Sequence, residues 1–543
     1  MMASQPWSQL PWWRAVLSGM LVAVAYPEPG WWATSLVGYV PLIDWLLQDR
    51  RQPLHALALG WLAGLIQHLW VYAFLAHTMR EMSGFPAVAS LAVVFLHALA
   101  MGLHQGLWLG LAARWSPRSL WLQVAGIGLL LTAVEFAVPW LFPWYLASAL
   151  FRTPLLMQPA EWLGVTLVSA LQVGFGVLLV QAWQGRSWRR LGFAAAWLGL
   201  WVGYGLAAEY RVAAADVQAK SLHVTVVQHN PSLAEKRSRK SQERVVMLDK
   251  AESLTRGLPP RHRDLIIWAE GALPFYWTAD PAGPPLPASQ TRQRPDQRAQ
   301  AERVRKLVAE LGVPLLTGSL RHPDLLWQTR DHNAALLFHP NQPDPWIYDK
   351  KVLLAFGEYL PGSQLIPALR GAIPGVSDFA PGERSGLVEV AGVQLLVNIC
   401  YEALFPAFLR DAGAAQADVL VNLTNDIWFG PQPAPDLHLM VQQARTIEFR
   451  RPLLRATTTG VTAHIAASGH FLQQTPVGQP AVVEMDVRVP PLTSPYAVWG
   501  DAPMWLLALL TLAAAWTRRG GTVMDTPQHA THNTRPQPNA AES

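Results

Sequence analysis

The single cysteine of this 543-residue chain, Cys400, stands where its thiol could act chemically. It follows the apolar run 395–399, which is typical of a buried strand, and it precedes a carboxylate at Glu402. One thiol cannot form an internal disulfide, so its placement at a strand end favours a nucleophile. The alternative is a small buried hydrophobic residue without chemistry, which is the commoner role of an isolated cysteine.

Two other strand ends carry the charged residues that such a nucleophile needs. Glu270 closes the run that begins at 264, and Lys350 opens a basic turn. In open α/β sheets active sites gather where strands end, so we expect these side chains to meet Cys400. A thiol with a pKa of about 8.5 is mostly protonated at neutral pH. Glu270 could take its proton, and Lys350 could hold the anion that forms afterwards.

The segments between these positions predict the elements that must hold them. Short aliphatic or β-branched runs bounded by turn residues indicate six buried strands. They lie at 224–228, 264–268, 314–318, 334–338, 395–399 and 418–423. Residues 238–258 and 297–311 show helical periodicity with charged outer faces, and the proline-rich stretch 280–295 predicts a flexible loop. We therefore expect an α/β domain with a largely buried sheet.

The composition places this domain beside a membrane region. Of all residues 51% are hydrophobic, only 15% are charged and 26 are tryptophan, which favours a membrane protein that carries one soluble domain. Apolar stretches near the roughly 20 residues that cross a bilayer core fill the N-terminal part. They predict spans at 12–27, 31–47, 56–76, 86–113, 119–140, 162–184 and 190–208, with an eighth at 502–517.

The spans divide the chain into four regions. These are an N-terminal membrane domain at 1–208, a soluble domain at 209–500, a C-terminal transmembrane helix at 501–517 and a disordered tail at 518–543. Arginine is concentrated in alternate short loops, at 49–51, 114–118 and 186–190, and again at 518–519. Because positive charge is retained in the cytoplasm, this pattern predicts cytoplasmic termini and a soluble domain outside.

Five short segments form a more specific pattern than three residues alone. They are WAEGALP (268–274), FGEYLP (356–361), ICYE (399–402), NDIWFG (425–430) and RPLLRA (451–456). Together with the eight spans they resemble the bacterial apolipoprotein N-acyltransferases of the nitrilase, or carbon-nitrogen hydrolase, superfamily. The resemblance implies a polytopic α-helical membrane domain joined to an α/β nitrilase-like αββα sandwich. It also implies the bacterial inner (cytoplasmic) membrane, with the catalytic domain in the periplasm.

The resemblance further implies a role for each matching residue. Glu270 would be the general base, Cys400 the nucleophile that carries an acyl chain as a thioester, and Lys350 the stabiliser of the oxyanion. Glu358 matches a second active-site carboxylate that fixes the lysine, with a purely structural ion pair as the alternative. The other matches are Tyr401 and Glu402 beside the nucleophile, Asn425 and Trp428 as substrate-binding residues, and Glu135 with Phe142-Pro143-Trp144 in the membrane domain.

The implied reaction moves an acyl chain from a membrane phospholipid to the α-amine of a diacylglyceryl-cysteine at the N-terminus of an apolipoprotein. It needs no cofactor, metal or nucleic acid, and His438, which lacks a metal-ligand pattern, is expected to be structural. Departures from the family pattern at Ala355, His229 and Thr458-Thr459 bear on substrate range. Two alternatives stay open, a membrane-anchored nitrilase-type amidase that admits water to the thioester and a non-catalytic membrane scaffold.

The predicted orientation can be tested with reporter fusions. Fusions near Ser221 and Pro490 should score as periplasmic, whereas fusions at Arg186 and after Arg519 should score as cytoplasmic, because the arginine-rich loops stay inside. Alkaline phosphatase activity and green fluorescence measure the two outcomes. A cytoplasmic score at either of the first two positions would contradict the eight-span count.

Overall fold

The computed structural model describes residues 7–26, 29–48, 52–115, 117, 119–238, 240–278, 295–323, 329–372, 376–430 and 433–517. The predicted loop at 280–295, apart from its last residue, and the predicted tail at 518–543 lie outside the described residues. Apolar helices occupy the chain as far as Asp216. Strands and helices alternate from Lys220 to Trp499, and one more apolar helix follows.

The N-terminal part is a multi-pass membrane domain. Its α-helices in the described residues are α1 (Trp12–Ala23), α2 (Thr34–Val37), α3 (Val40–Leu46), α4 (Pro53–Val71), α5 (Leu75–Ser83), α6 (Ala87–Met101), α7 (Leu103–Arg114), α8 (Leu120–Ala137), α9 (Pro154–Met157), α10 (Ala160–Leu163), α11 (Val165–Gln184) and α12 (Trp188–Asp216). Five segments within the described part are long and apolar enough to cross a bilayer, namely α4, α6 with α7, α8, α11 and α12.

These five segments coincide with the predicted spans from 56–76 to 190–208. The stretches predicted at 12–27 and 31–47 contain the shorter helices α1, α2 and α3, so the count of eight spans stays a prediction. The last span corresponds to α20 (Ala502–Thr517), also a shorter apolar helix. Helix α12 continues to Asp216, eight residues beyond the predicted boundary at 208, and ends shortly before the first strand.

The soluble domain contains two sheets, and all six predicted strands are present. The first sheet has the order β13 (Ala481–Val489), β1 (Lys220–Gln228), β2 (Leu265–Trp268), β4 (Leu315–His322), β5 (His332–Phe338), β6 (Trp346–Asp349), with β3 (Tyr276–Thr278) beside β4. The second has the order β12 (Phe471–Gln474), β11 (Ala463–Ile465), β10 (Leu453–Thr457), β9 (Val419–Thr424), β8 (Val393–Ile399), β7 (Leu387–Val390).

Alternation of side chains along the strands builds the layers. Val226 of β1 and Val397 of β8 belong to one core between the sheets, whereas Val227, the next residue of β1, packs with Leu248 and Val308 of the outer helices. The helices of this domain are α13 (Leu233–Arg237), α14 (Ser241–Arg256), α15 (Pro295–Leu311), α16 (Ala368–Ala372), α17 (Pro406–Ala412), α18 (Ala434–Phe449) and α19 (Pro495–Trp499). With α14 and α15 outside one sheet and α17 and α18 outside the other, the domain is an αββα sandwich.

A buried ion pair joins the two domains. Glu161 of α10 and Arg450, which follows α18, are each about 1% exposed, and Arg450 Nε lies 2.7 Å from Glu161 Oε2. Arg211 and Tyr204 of α12 also donate to this carboxylate. A second link runs from the backbone N–H of Val165 to the Glu448 carboxylate at 2.9 Å. These contacts fix α18, and with it one side of the αββα sandwich, on the membrane domain.

We expect Glu161→Gln to lower the thermal stability of the purified protein. A neutral amide leaves Arg450 as an uncompensated buried charge, and loss of one partner from a buried pair typically costs about 3–5 kcal/mol. The melting temperature in detergent measures the effect. Glu243→Gln, which removes an exposed pair with Lys240, is the matched control and should leave the melting temperature unchanged. Equal small shifts in both variants would contradict the role of this pair.

Candidate active site

Cys400 lies at a sharp turn where β8 ends and a 3₁₀ helix, Cys400–Leu404, begins. Its φ of 52° is in the left-handed region, which is uncommon for a residue other than glycine and is often found at functional sites. Asn422 of the neighbouring strand holds this turn, because its side-chain amide donates to the Cys400 carbonyl at 3.2 Å and to Asn398 at 2.7 Å. The thiol is therefore presented at the end of the strand, as the sequence predicts.

The two charged residues also lie at strand ends, and they are connected through Asn333 and Glu358. Glu270 follows β2, and Lys350 follows β6. Asn333 donates to Glu270 Oε1 at 2.6 Å and to Glu358 Oε1 at 2.8 Å, so one side chain positions both carboxylates. Glu270, Lys350 and Cys400 line the same cavity of about 280 Å³. The structure thus brings together the three residues that the sequence singles out.

The lysine is a permanently charged group inside the protein. Lys350 is about 1% exposed, and its Nζ lies 2.9 Å from Glu358. Burial alone would lower the pKa of this ammonium, but Glu358, Cys400 and Glu270 together raise the pKa above its usual value. Glu358 also accepts a hydrogen bond from the backbone N–H of Leu354 at 2.8 Å. This carboxylate therefore both balances and orients the lysine, and the cavity keeps one fixed positive charge.

The thiol is held in its protonated form. Burial, together with the nearby Glu270 carboxylate, raises the pKa of Cys400 to about 12, although Lys350 opposes the shift. Burial also raises the pKa of Glu270 above its usual value, while Lys350 acts in the opposite direction. A thiol of this kind reacts only if a base removes its proton during attack. The carboxylate in the same cavity, Glu270, can serve as that base.

Glu402 ties the nucleophile turn to the lysine turn. Its buried carboxylate accepts hydrogen bonds from the backbone N–H groups of Ile399 at 2.7 Å, Lys351 at 2.6 Å and Val352 at 3.1 Å, and from the Tyr348 hydroxyl at 2.8 Å. Because these donors belong to strand ends in two different sheets, the carboxylate fixes the distance between the two turns. Glu402 therefore supports the site from behind and does not line its cavity.

Tyr401 points to the membrane domain. Its hydroxyl donates to the carbonyl of Leu141, and its ring contacts Phe142 edge to face with centroids 5.8 Å apart. Tyr401, Phe142 and Cys400 line a second, apolar cavity of about 40 Å³ between the two domains. Cys400 therefore lines two cavities: the larger one, called the polar cavity for the charged groups of Glu270, Lys350 and Glu358 in its lining, and the small apolar cavity.

The two predicted substrate-binding residues lie in the polar cavity. Asn425 and Trp428 both line it, and Asn425 is held by a hydrogen bond from Thr458 at 2.6 Å. The Trp428 ring lies 5.8 Å from the guanidinium of Arg237, which pairs with Glu81 of α5 at 3.1 Å. This edge of the cavity is thus built jointly by the soluble domain and a helix of the membrane domain.

The membrane-domain matches divide into two groups. Phe142, Pro143 and Trp144 line the apolar cavity beside Cys400. Glu135 is buried in α8, where it accepts a hydrogen bond from the backbone N–H of Leu146 at 3.3 Å, and it lines neither cavity in the described part of the chain. Glu135 therefore holds the loop that carries Phe142, Pro143 and Trp144.

Sequence reasoning did not find Asn333, Lys236 or any role for His438 in this site. Asn333 is the second residue of β5, and a polar side chain in a buried strand is a sequence signal that could have indicated a role in the site. Lys236 donates to the carbonyl of Gly271 at 2.9 Å, and burial lowers its pKa to about 8. His438 lies on α18 and lines the apolar cavity, a placement that only the packing of two domains decides.

Comparisons with known proteins cover both domains. Residues 223–494 match the carbon-nitrogen hydrolase family, and residues 18–178 match the apolipoprotein N-acyltransferase N-terminal domain. An apolipoprotein N-acyltransferase from Bdellovibrio bacteriovorus is 31% identical, covering 92% of each chain, and one from Geobacter metallireducens is 28% identical, covering 93% of this chain and 95% of the relative. A solved amidase of the nitrilase superfamily from Nesterenkonia AN1 is 18% identical with a TM-score of 0.35, covering 52% of this chain and 95% of the amidase.

Alkylation of the only thiol tests its protonation state. The reactive thiolate is scarce below the thiol pKa and increases as the pH rises towards it, and this pKa is raised to about 12. We therefore expect the rate of iodoacetamide labelling, measured by intact mass, to rise about tenfold per pH unit from pH 7 to pH 10. Cys400→Ala is the unlabelled control. A plateau near pH 8.5 would mean that Lys350 stabilises the thiolate more strongly than burial destabilises it.

Proposed function

The chain belongs to the apolipoprotein N-acyltransferase family, and we propose that it transfers an acyl chain from a membrane phospholipid, through a thioester on Cys400, to the N-terminal α-amine of a diacylglyceryl apolipoprotein. One observation carries this proposal. Cys400 lines both the polar cavity, which contains the Glu270 carboxylate and the Lys350 ammonium, and the apolar cavity, whose lining is shared by the soluble domain and the membrane domain. Both substrates are lipids, and each needs an apolar approach to a polar reaction centre.

In the first half-reaction the Cys400 sulfur attacks the ester carbonyl of the phospholipid. The thiol proton moves to Glu270, a transfer favoured by the shared cavity and by the raised pKa of that carboxyl. The carbon–oxygen bond of the ester then breaks, and the lysophospholipid leaves with the proton from Glu270. The products are a thioester on Cys400 and a regenerated carboxylate.

Lys350 stabilises the negative charge that develops on the carbonyl oxygen. Its ammonium is fixed before the reaction by Glu358 at 2.9 Å, so the site needs no rearrangement when the charge appears. The backbone N–H that follows Cys400 is a second donor in this proposal. A buried positive charge acts more strongly here than it would in water, because the surrounding protein screens it less.

In the second half-reaction the α-ammonium of the apolipoprotein loses one proton to Glu270 and attacks the thioester as a free amine. The acceptor carries its own diacylglyceryl anchor, so the membrane delivers it to the same site. Removal of a whole acyl chain from lipid would cost about 0.8 kcal/mol per CH₂ group, which favours a reaction centre at the membrane surface. In this proposal the acyl chain reaches Cys400 along the aromatic residues of the membrane domain that line the apolar cavity, among them Phe142 and Trp144.

We place the enzyme in the inner membrane with the catalytic domain in the periplasm. The support for this orientation is the concentration of arginine in alternate loops of the membrane domain. Exported lipoproteins reach the periplasmic face, where the diacylglyceryl-cysteine amine would meet the site. An active site on that face explains why a soluble sandwich is attached to several membrane helices.

The thioester is the decisive intermediate to detect. After incubation of the purified protein with phospholipid vesicles, intact mass should increase by one acyl group, and neutral hydroxylamine should remove it. The adduct should be absent in Cys400→Ala and should form about 10² to 10³ times more slowly in Lys350→Ala, which lacks the oxyanion contact. Acylation of the Cys400→Ala protein would contradict the mechanism.

Discharge of the same adduct separates the transferase from an amidase. A diacylated lipopeptide with a free N-terminal amine should remove the acyl group much faster than buffer, because the site is built for a membrane-delivered amine. The acetylated lipopeptide is the matched control and should have no effect. Equal discharge in buffer and with the free-amine lipopeptide would instead favour the hydrolase.

A further inference from the structure

His438 is a buried polar residue in the wall of the apolar cavity. It lies on α18, is about 8% exposed and lines the same cavity as Cys400. Its ring contacts Phe429 edge to face with centroids 5.8 Å apart, so apolar groups hold it in place. The hydroxyls of Tyr72 and Tyr401, which line this cavity too, donate to the carbonyls of Phe142 and Leu141. The imidazole is therefore a polar group that the structure places beside the nucleophile and that the proposed reaction has not yet used.

The tautomer of this histidine follows from its partners. His438 Nδ1 lies 3.0 Å from Asp426 Oδ1, and because a carboxylate can only accept, Nδ1 carries the proton and donates. Arg455 Nη2 donates to the other oxygen of Asp426 at 2.5 Å, and its longer contact of 3.3 Å with Nδ1 is not a hydrogen bond in this tautomer, because both nitrogens carry protons. The remaining nitrogen, Nε2, has a free lone pair and no hydrogen-bond partner among the described residues.

The charges around the ring keep it neutral. Burial lowers the pKa of His438 below its usual value, and the positive charges of Arg455 and Lys350 act in the same direction, while Asp426 opposes them. Burial alone would raise the pKa of Asp426, but Arg455 and His438 lower it, so this group stays a carboxylate. At neutral pH an uncharged imidazole therefore offers a proton acceptor to the cavity.

A lone pair in this position requires a partner that can donate a proton. Once Cys400 is acylated it has no thiol proton to donate, and the carbonyls of the phospholipid ester and of the thioester are acceptors only, so none of these groups satisfies it. The attacking amine is a donor, and in the tetrahedral adduct with the thioester its nitrogen becomes positively charged and strongly acidic. We propose that Nε2 of His438 is the second base of the transfer, which takes the proton that the acceptor nitrogen loses as this adduct collapses to the amide.

The proton balance needs two acceptors, and the site contains two. The α-ammonium gives its first proton to Glu270 and attacks, so that the carbon–nitrogen bond forms. The second proton passes to His438 while the carbon–sulfur bond breaks and Cys400 leaves as a thiolate. His438 then protonates the thiolate, and Glu270 releases its proton to solvent. One thioester and one ammonium thus give one amide, one thiol and one proton.

Asp426 is the positioning residue for this step. It holds Nδ1–H, so that Nε2 presents its lone pair, and it stabilises the imidazolium that forms, as carboxylate–histidine pairs do in other acyl transfers. Arg455 limits this effect by sharing the same carboxylate. His438 is therefore a weak base, which takes a proton only from a strong acid. The positively charged nitrogen of the tetrahedral adduct is such an acid, and the Cys400 thiol is not. His438 should therefore affect the second half-reaction and not the first.

The inference rests on the proposed thioester mechanism, and the experiment separates the two half-reactions. His438→Gln should acylate Cys400 from phospholipid vesicles within about threefold of the unmodified rate, by intact mass. Discharge by a diacylated lipopeptide should be about 10²-fold slower, which is the lower end of the rate loss expected when a general base is removed. His464→Gln is the matched control, because His464 is also buried in the same domain, also has an unpartnered Nε2 in the described structure and lines neither cavity. It should change neither rate by more than about threefold.

A second variant distinguishes a base from a structural residue. His438→Ala opens space beside the cavity. Imidazole added to the pre-formed acyl-enzyme of this variant should therefore raise its discharge rate at least tenfold. Imidazole should not accelerate discharge of the unmodified protein. Equal slowing of both half-reactions, an unchanged discharge rate in His438→Gln, or no rescue by imidazole would each overturn the assignment. Absence of any acyl-enzyme in the unmodified protein would instead refute the proposed function itself.

Discussion

The buried ammonium of Lys350 is the constraint on which the catalytic site depends. A positive charge with about 1% exposure is tolerated only where opposite charge and hydrogen bonds replace water, and removal of one partner from such a pair typically costs about 3–5 kcal/mol. Glu358 supplies the direct partner, and Asn333 links it to Glu270. This buried charge thus has two carboxylates nearby, and in the proposed mechanism it stabilises the oxyanion while Glu270 acts as the base.

The αββα sandwich satisfies this constraint because its two sheets end at the same place. Cys400 belongs to one sheet, whereas Glu270 and Lys350 belong to the other, so no single sheet could assemble them. Glu402 joins the sheets behind the site by accepting hydrogen bonds from both turns. The same geometry disfavours the thiolate, since burial beside a carboxylate raises the pKa of the thiol, and the proposed mechanism therefore includes a base that takes its proton.

The interface between the two domains forms the apolar cavity of the site. The contact of Tyr401 with the loop at Leu141 and the ion pair between Glu161 and Arg450 hold the sandwich on the membrane helices. Aromatic residues of both domains then enclose an apolar cavity that Cys400 shares with the polar one. In the proposed reaction, proton transfer and stabilisation of the oxyanion occur in the polar cavity, and lipid chains approach the sulfur through the apolar cavity.

The sequence by itself predicted the strands, the long apolar helices and the meeting of Glu270, Lys350 and Cys400, because each depends on local pattern: hydrophobic period, strand ends and short motifs. The αββα layers followed only through the family resemblance. Only the tertiary structure decided that Asn333 bridges two carboxylates, that Glu402 fastens two turns, and that His438, expected from the sequence to be structural, lines the cavity beside Cys400. These are contacts between residues distant in the chain, and neither periodicity nor spacing encodes which side chains two packed sheets and a membrane domain will bring together.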